Sequence, residues 1–143
     1  MNLKRKLIRY LCLHRHSSSI PTGLEPLSKL RSVVIFMDKA DEITEPQKIK
    51  IRGFFKEYGL STSFLYMDND DLRSSSDMFI SLSLEGGINE RYAASASTAR
   101  FKVGRHQLEH DIYDLVVTDP DPEQPCSPLD ALTAIEHYIV NIQ

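Results

Sequence analysis

Apolar residues along the chain fall into solid short runs that alternate with wider-spaced stripes. Ser32–Asp38 is a continuous apolar run closed by an acid, the pattern of a strand buried on both faces. Ile51, Phe54, Phe55 and Tyr58 then recur at helical spacing. Thr44 with Gln47 three residues on has the spacing of a capping box, and Pro46 fits the first turn. Gly59 supplies a left-handed stop. Ser63–Asp68 reads as a second strand, and the polar stretch 69–76 as a loop. Asp77–Leu84 reads as a third strand, ending in the turn Glu85-Gly86-Gly87. Ile88, Tyr92, Ala93 and Ala96 mark one face of a short helix, whose other small residues allow close packing on a sheet. Arg100–Gly104 and Ile112–Thr118 are predicted as strands four and five. Asp119-Pro120-Asp121-Pro122 is held extended by its prolines. Ser127 and Pro128 open a last helix, with a stripe of Leu129, Leu132, Ile135, Ile139 and Ile142.

Strands alternating with helices predict an α/β fold: a Rossmann-like or flavodoxin-like three-layer sandwich around a mainly parallel, five-stranded sheet. The link between strands two and three is the short one. It is near the minimum for a parallel crossover and has no room for a full helix.

Composition adds a size class. The chain has 143 residues, 41% hydrophobic and 26% charged, which suits a folded domain rather than a disordered one. No apolar run approaches the ~20 residues of a membrane span. Cys12 and Cys126 lie near opposite ends, so neither a zinc cluster nor a disulfide framework is expected. The expected location is the cytoplasm, peripheral to the inner membrane if the N-terminus attaches there.

The net charge of −3 hides a division. Residues 1–16 carry Lys4, Arg5, Lys6, Arg9 and Arg15 and no acid, so the remaining residues are strongly acidic. Leu3, Leu7 and Leu11 with Ile8 give this arm an amphipathic helical pattern. Arg9 interrupts the apolar stretch and no cleavage site follows, so the arm is not read as a signal peptide. It either packs on the body or contacts an unknown protein or anionic surface. It carries no specific nucleic-acid signal. The expected organisation is a basic arm (1–16), a linker (17–30) and one α/β domain (31–143).

The stretch DMFISLSLEGGINERYAASASTARFKVGR, followed by YDLVV and a terminal HYI, resembles a family of small bacterial proteins of unknown function. These have a D-L-L-I-D-L-S-L strand, a short helix and then A-K-F-K-V-G. The resemblance covers 31–142, is sharpest over 77–105, and implies no activity. The same segment is more distantly similar to part of the N-terminal half of lipopolysaccharide heptosyltransferases. That likeness implies a Rossmann-like layer but not the reaction, which needs a second such domain to hold the nucleotide sugar. The chain departs from both patterns at Ser81, where an acid is usual.

Candidate chemistry is sparse. His106-Gln107-Leu108-Glu109-His110 matches an inverted zinc-protease pattern. It sits in a short connection between strands rather than in a long helix, so a solvated loop is expected and no metal or cofactor is assigned. Asp38, Glu85 and Asp119 lie at or just past strand ends, where ligands of doubly wound sheets bind. Gly86, Gly87 and Asn89 open the following helix and complete this candidate ligand site, although no phosphate-loop pattern is present. Asp68 could join them. Arg100, Lys102 and Arg105 form a possible second basic spot. The reading with most support is a small non-enzymatic ligand- or partner-binding domain. The alternatives are a small enzyme or nucleotide or sugar-phosphate binder at the strand ends, and a peripheral membrane protein held by the arm.

Overall fold

Residues Ser32–Met37 form β1, Ser61–Tyr66 β2, Met78–Ser81 β3, Phe101–Gly104 β4 and Leu115–Val116 β5. The helices are α1 (Glu45–Glu57), α2 (Ile88–Ala96) and α3 (Pro128–Ile139). These come from a computed structural model that describes residues 26–108, 111–121 and 123–142. The arm, its bases, Cys12, and Glu109 and His110 of the histidine pattern lie outside the described residues.

All strands pair in parallel, in the order β2-β1-β3-β4-β5. This is the flavodoxin-like order, and it confirms the predicted α/β class. The order explains the layering. The chain steps one way from β1 to β2 and the other way at every later strand. Right-handed crossovers must therefore put α1 on one face and the later connections on the opposite face. The packing agrees. Val33, Ile35 and Met37 of β1 cluster with Ile51 and Phe55 of α1, and with Leu132, Ile135 and Ile139 of α3. Val34 and Phe36 cluster on the other face with Leu72, Ala93, Ala94, Leu108 and Tyr113.

Local chemistry sets the element ends. Gln47 N–H donates to Thr44 Oγ1 at 3.3 Å, and Thr44 N–H donates to Gln47 Oε1 at 2.8 Å, closing the capping box of α1. Gly59 stops that helix with φ 86°, a conformation that costs a residue with Cβ. Ser127 Oγ accepts from Asp130 N–H at 3.1 Å at the start of α3. The crossover between β2 and β3 is irregular, as its length requires.

Several expectations shift. Residues at the end of the expected linker belong to the body: Leu27–Lys29 form a turn of 3-10 helix, and Leu27 and Leu30 are buried in the core. The third strand ends at Ser81 and the fifth is reduced to Leu115–Val116, although Leu82 N–H still donates to Phe36 O at 2.8 Å and Val117 N–H to Gly104 O at 2.9 Å. The buried face of α2 is also rotated from the expected one. Ile88 is 74% exposed and Tyr92 49%, whereas Glu90, Ala93 and Ala94 are buried. Positions 90, 93, 94 and 97 form a narrow face at helical spacing. Small residues let that face approach the sheet more closely than isoleucine and tyrosine could.

Candidate functional site

In this strand order the topological switch point lies between β1 and β3, and a ligand crevice is expected beyond their carboxyl ends. Asp38 follows β1 there. The segment 82–87 follows β3, Arg105 and His106 follow β4, and Thr118 and Asp119 follow β5. Two bonded clusters occupy this end of the molecule.

The first is centred on Glu90, which is completely buried. Its carboxylate accepts from Ser81 Oγ at 3.1 Å and Gly86 N–H at 2.9 Å. It also accepts from the Tyr113 hydroxyl at 2.5 Å. His106 Nε2 lies 3.0 and 3.1 Å from its two oxygens. A carboxylate only accepts, so Nε2 carries the proton in this arrangement. Burial pushes the Glu90 carboxyl up. The bonds from His106, Tyr113 and Gly86 outweigh it and hold the group below the usual glutamate range. Burial first, and then the charge of Glu90, push the Tyr113 phenol well above its ordinary value. The cluster ties α2 to the end of β3 and to both sides of the β4–β5 connection.

Gly104 makes that junction possible. A Cβ there would lie 2.2 Å from Tyr113 Cε2, so the tyrosine ring rests directly on the backbone of β4.

The second cluster is centred on Arg105, which is 3% exposed. Its guanidinium donates to Leu82 O at 3.0 Å, Asp119 Oδ2 at 2.7 Å and Cys126 O at 2.9 Å. Asp119 Oδ2 also accepts from Cys126 N–H at 3.0 Å. A buried ion pair thus joins the ends of β3, β4 and β5 to the start of α3.

The candidate ligand residues are dispersed by this arrangement. Asp38 and Asp119 follow strands separated by three sheet spacings, roughly 14 Å, so they do not meet. Asp119 is committed to Arg105. Gly86 commits its N–H to Glu90, while Glu85 and Asn89 are exposed and Gly87 is half-buried. Asp68 is exposed beyond β2. Asp38 keeps one feature of interest: its Oδ1 is shielded from solvent and has no hydrogen-bond partner among the described residues.

The second basic spot separates, and for Arg105 the reason is one of period. Successive strand residues face opposite sides. Lys102 is half-buried beside Asp114, whose Oδ2 accepts from Lys102 N–H at 2.8 Å. Burial lowers Lys102 and raises Asp114 relative to their ordinary values. Arg100 is exposed and donates to Lys29 O at 2.8 Å. Arg105 faces the core.

Glu90 and Tyr113 are the polar residues that reading the sequence did not single out. The available signal was the spacing of Glu90 to Ala93, Ala94 and Ser97. Ser81 donates to the carboxylate of Glu90 nine residues on.

Among the described residues no group of three or more His, Cys, Asp and Glu side chains is placed to hold a metal. No helix among them is long and apolar enough to cross a membrane. An open cavity of about 480 Å³ lies away from the carboxyl ends of the strands, lined by Arg52, Lys56, Gly59, Leu60, Ser61 and Thr62. Comparison with protein-family models, with curated proteins and with solved structures finds no match.

Proposed function

We propose that this chain is a small, non-catalytic binding domain of Rossmann-like build, acting in the cytoplasm on a macromolecular partner. One observation carries the reading: the charged groups of the Glu90 and Arg105 clusters at the carboxyl edge are bonded within the protein. Arg105 binds Asp119 at 2.7 Å inside the protein, and Glu90 spends both oxygens on four donors. A general acid, base or phosphate cradle needs a group free to meet substrate. Here the charges serve as cross-links between loops. The resemblance to the small bacterial proteins is compatible with the same reading, with the basic arm as a further contact to an acidic protein or anionic surface.

A second reading is favoured by Asp38, whose Oδ1 is left without a partner at the switch point. It makes the chain a nucleotide, sugar-phosphate or divalent-cation binder. A thermal-shift screen of the full chain against nucleotides, sugar phosphates and Mg²⁺ separates the two. The first reading expects no compound to raise the melting temperature. A rise that disappears in Asp38→Ala would replace it with the second. Sedimentation with anionic vesicles, comparing the full chain with one lacking residues 2–16, tests the arm. Equal sedimentation of both would remove the arm from the reading.

A further inference from the structure

Among the described residues the strand β2 is an edge of the sheet, pairing with β1 alone. Edge strands are usually blunted by charge, proline, bulges or cover. Ser61–Tyr66 carries no charged residue and no proline, and its pairing with β1 runs unbroken over all six positions.

The ladder identifies which backbone groups face outward. Ser61 N–H donates to Arg31 O at 2.9 Å, and Met67 N–H donates to Met37 O at 3.0 Å. In a parallel pair alternate residues bond to the same neighbour. Residues 61, 63, 65 and 67 therefore face β1, and 62, 64 and 66 face out. Tyr66 is already capped: its N–H donates to Asn69 Oδ1 at 2.9 Å and its carbonyl accepts from Asn69 N–H at 2.9 Å. Among the described residues Thr62 and Phe64 are left, offering two N–H donors and two carbonyls in strand geometry.

Beside this open stretch runs a basic stripe. Lys48, Arg52 and Lys56 are spaced four apart on α1 and so lie along one line of the helix. Lys48 is engaged, with Glu45 Oε2 at 3.4 Å and its ammonium over the rings of Phe64 and Tyr66. The Arg52 guanidinium lies 5.0 Å from the Phe64 ring centroid and has no carboxylate partner among the described residues. Lys56 likewise has none. Both line the cavity of about 480 Å³ that opens at the amino end of β2.

We infer that this edge is a docking site for an extended acidic segment of a partner protein, which adds a strand to β2 by pairing with Thr62 and Phe64. Its carboxylates meet Arg52 and Lys56 in the cavity. Main-chain bonds supply affinity in such strand addition, and side chains falling in the groove supply specificity. Charge selects the occupant. A second copy paired edge to edge would bring two Arg52–Lys56 pairs toward each other, and the basic stretch 1–16 would meet the same repulsion. An acidic strand satisfies both the backbone and the cations. This inference rests on the partner-binding reading and names the surface and the partner's chemistry.

The probe is a fluorescein-labelled peptide of alternating valine and glutamate, set against its valine–lysine counterpart, with polarisation measured on the full chain. The acidic peptide is expected to bind and the basic one not to. The double variant Arg52→Glu, Lys56→Glu should weaken binding at least about tenfold, and added salt should weaken it in the native chain. Thr62→Pro removes an outward N–H while sparing the bonds to β1, as edge positions permit. It should abolish binding with an unchanged circular-dichroism spectrum. Hydrogen exchange at Thr62 and Phe64, followed by NMR, should slow when the peptide is added. Equal binding of both peptides, undiminished binding by Thr62→Pro, or a dimer that Thr62→Pro dissolves would overturn the site. Failure of the parent reading has a different signature: a small-molecule thermal shift that depends on Asp38 and persists in Thr62→Pro.

Discussion

Replacing Glu90 by glutamine changes one oxygen to an NH₂ group in a side chain of the same shape. The native carboxylate accepts from Ser81, Gly86, His106 and Tyr113 with no exposure to water. Hydrogen bonds to a charged group contribute about 1.5–3 kcal/mol each, against about 1 for neutral pairs. Glutamine keeps one acceptor oxygen and turns a donor toward groups that also donate. The serine and tyrosine hydroxyls can rotate to accept and His106 can move its proton to Nδ1, but Gly86 N–H can only donate. One or two buried donors lose a charged acceptor, and a loss of about 2–4 kcal/mol follows. For a chain of this size that lowers the melting temperature by roughly 6–12 °C. The pH dependence is the sharper signature. The folded carboxyl titrates below its ordinary value of 4.5. Its contribution is therefore fully present above that value and is lost as pH falls through the lower folded one. Urea unfolding of both proteins at pH 7 and at steps down toward pH 3 should show the gap closing as acid is added. A Glu90→Gln midpoint equal to the native one at pH 7, or a gap independent of pH, would refute a charged glutamate as the centre of the cluster.

Three further outcomes follow from the same geometry. Asp119→Ala leaves the buried Arg105 guanidinium without its counter-ion (side chains 2% and 9% exposed) and should cost about 3–5 kcal/mol in urea unfolding. A loss under about 1 kcal/mol would mean the pair is solvated. Gly104→Ala drives a methyl group to within 2.2 Å of Tyr113 Cε2. Because Glu90 holds that ring, at least about 2 kcal/mol should be lost, with a changed near-ultraviolet tyrosine spectrum; a native melting curve would contradict the close packing. Burial raises the Glu136 carboxyl on α3 to about 7, so folding favours its neutral form. That contribution is present below the ordinary value of 4.5 and is lost as pH rises through about 7. Glu136→Gln should thus stabilise the protein at pH 8 by about 1 kcal/mol, after allowing for its partial solvation, and change little at pH 4; a pH-independent effect would argue against burial as the cause.

Elements whose signal is local were readable from the chain. The apolar run of β1, the capping box at Thr44, the stop at Gly59 and the Ser127-Pro128 start of α3 each follow from neighbours within a few residues. The crossover rule then carried these to a parallel sheet. Elements that depend on distant partners shifted. β3 and β5 are shorter than their apolar runs because strand length is set by what lies alongside. α2 shows why periodicity alone misleads: two faces were available, and hydrophobicity pointed to Ile88 and Tyr92. The narrow face of Glu90, Ala93, Ala94 and Ser97 is the buried one. A buried glutamate is unfavourable until Ser81, Gly86, His106 and Tyr113 converge on it.

Residue order by itself determined the α/β class, the single parallel sheet and the division between a basic N-terminal stretch and an acidic remainder. Short-range patterning and capping are properties of a few consecutive residues and need no fold to express them. Tertiary structure decided what the polar residues do. The strand order set Asp38 and Asp119 roughly 14 Å apart, turned Asp119 inward to Arg105, and drew His106 onto a carboxylate sixteen positions away. It also left β2 at the edge with Thr62 and Phe64 facing outward beside Arg52 and Lys56. Charge pairing and edge exposure depend on distance in space, and strand order, which local pattern does not specify, sets that distance.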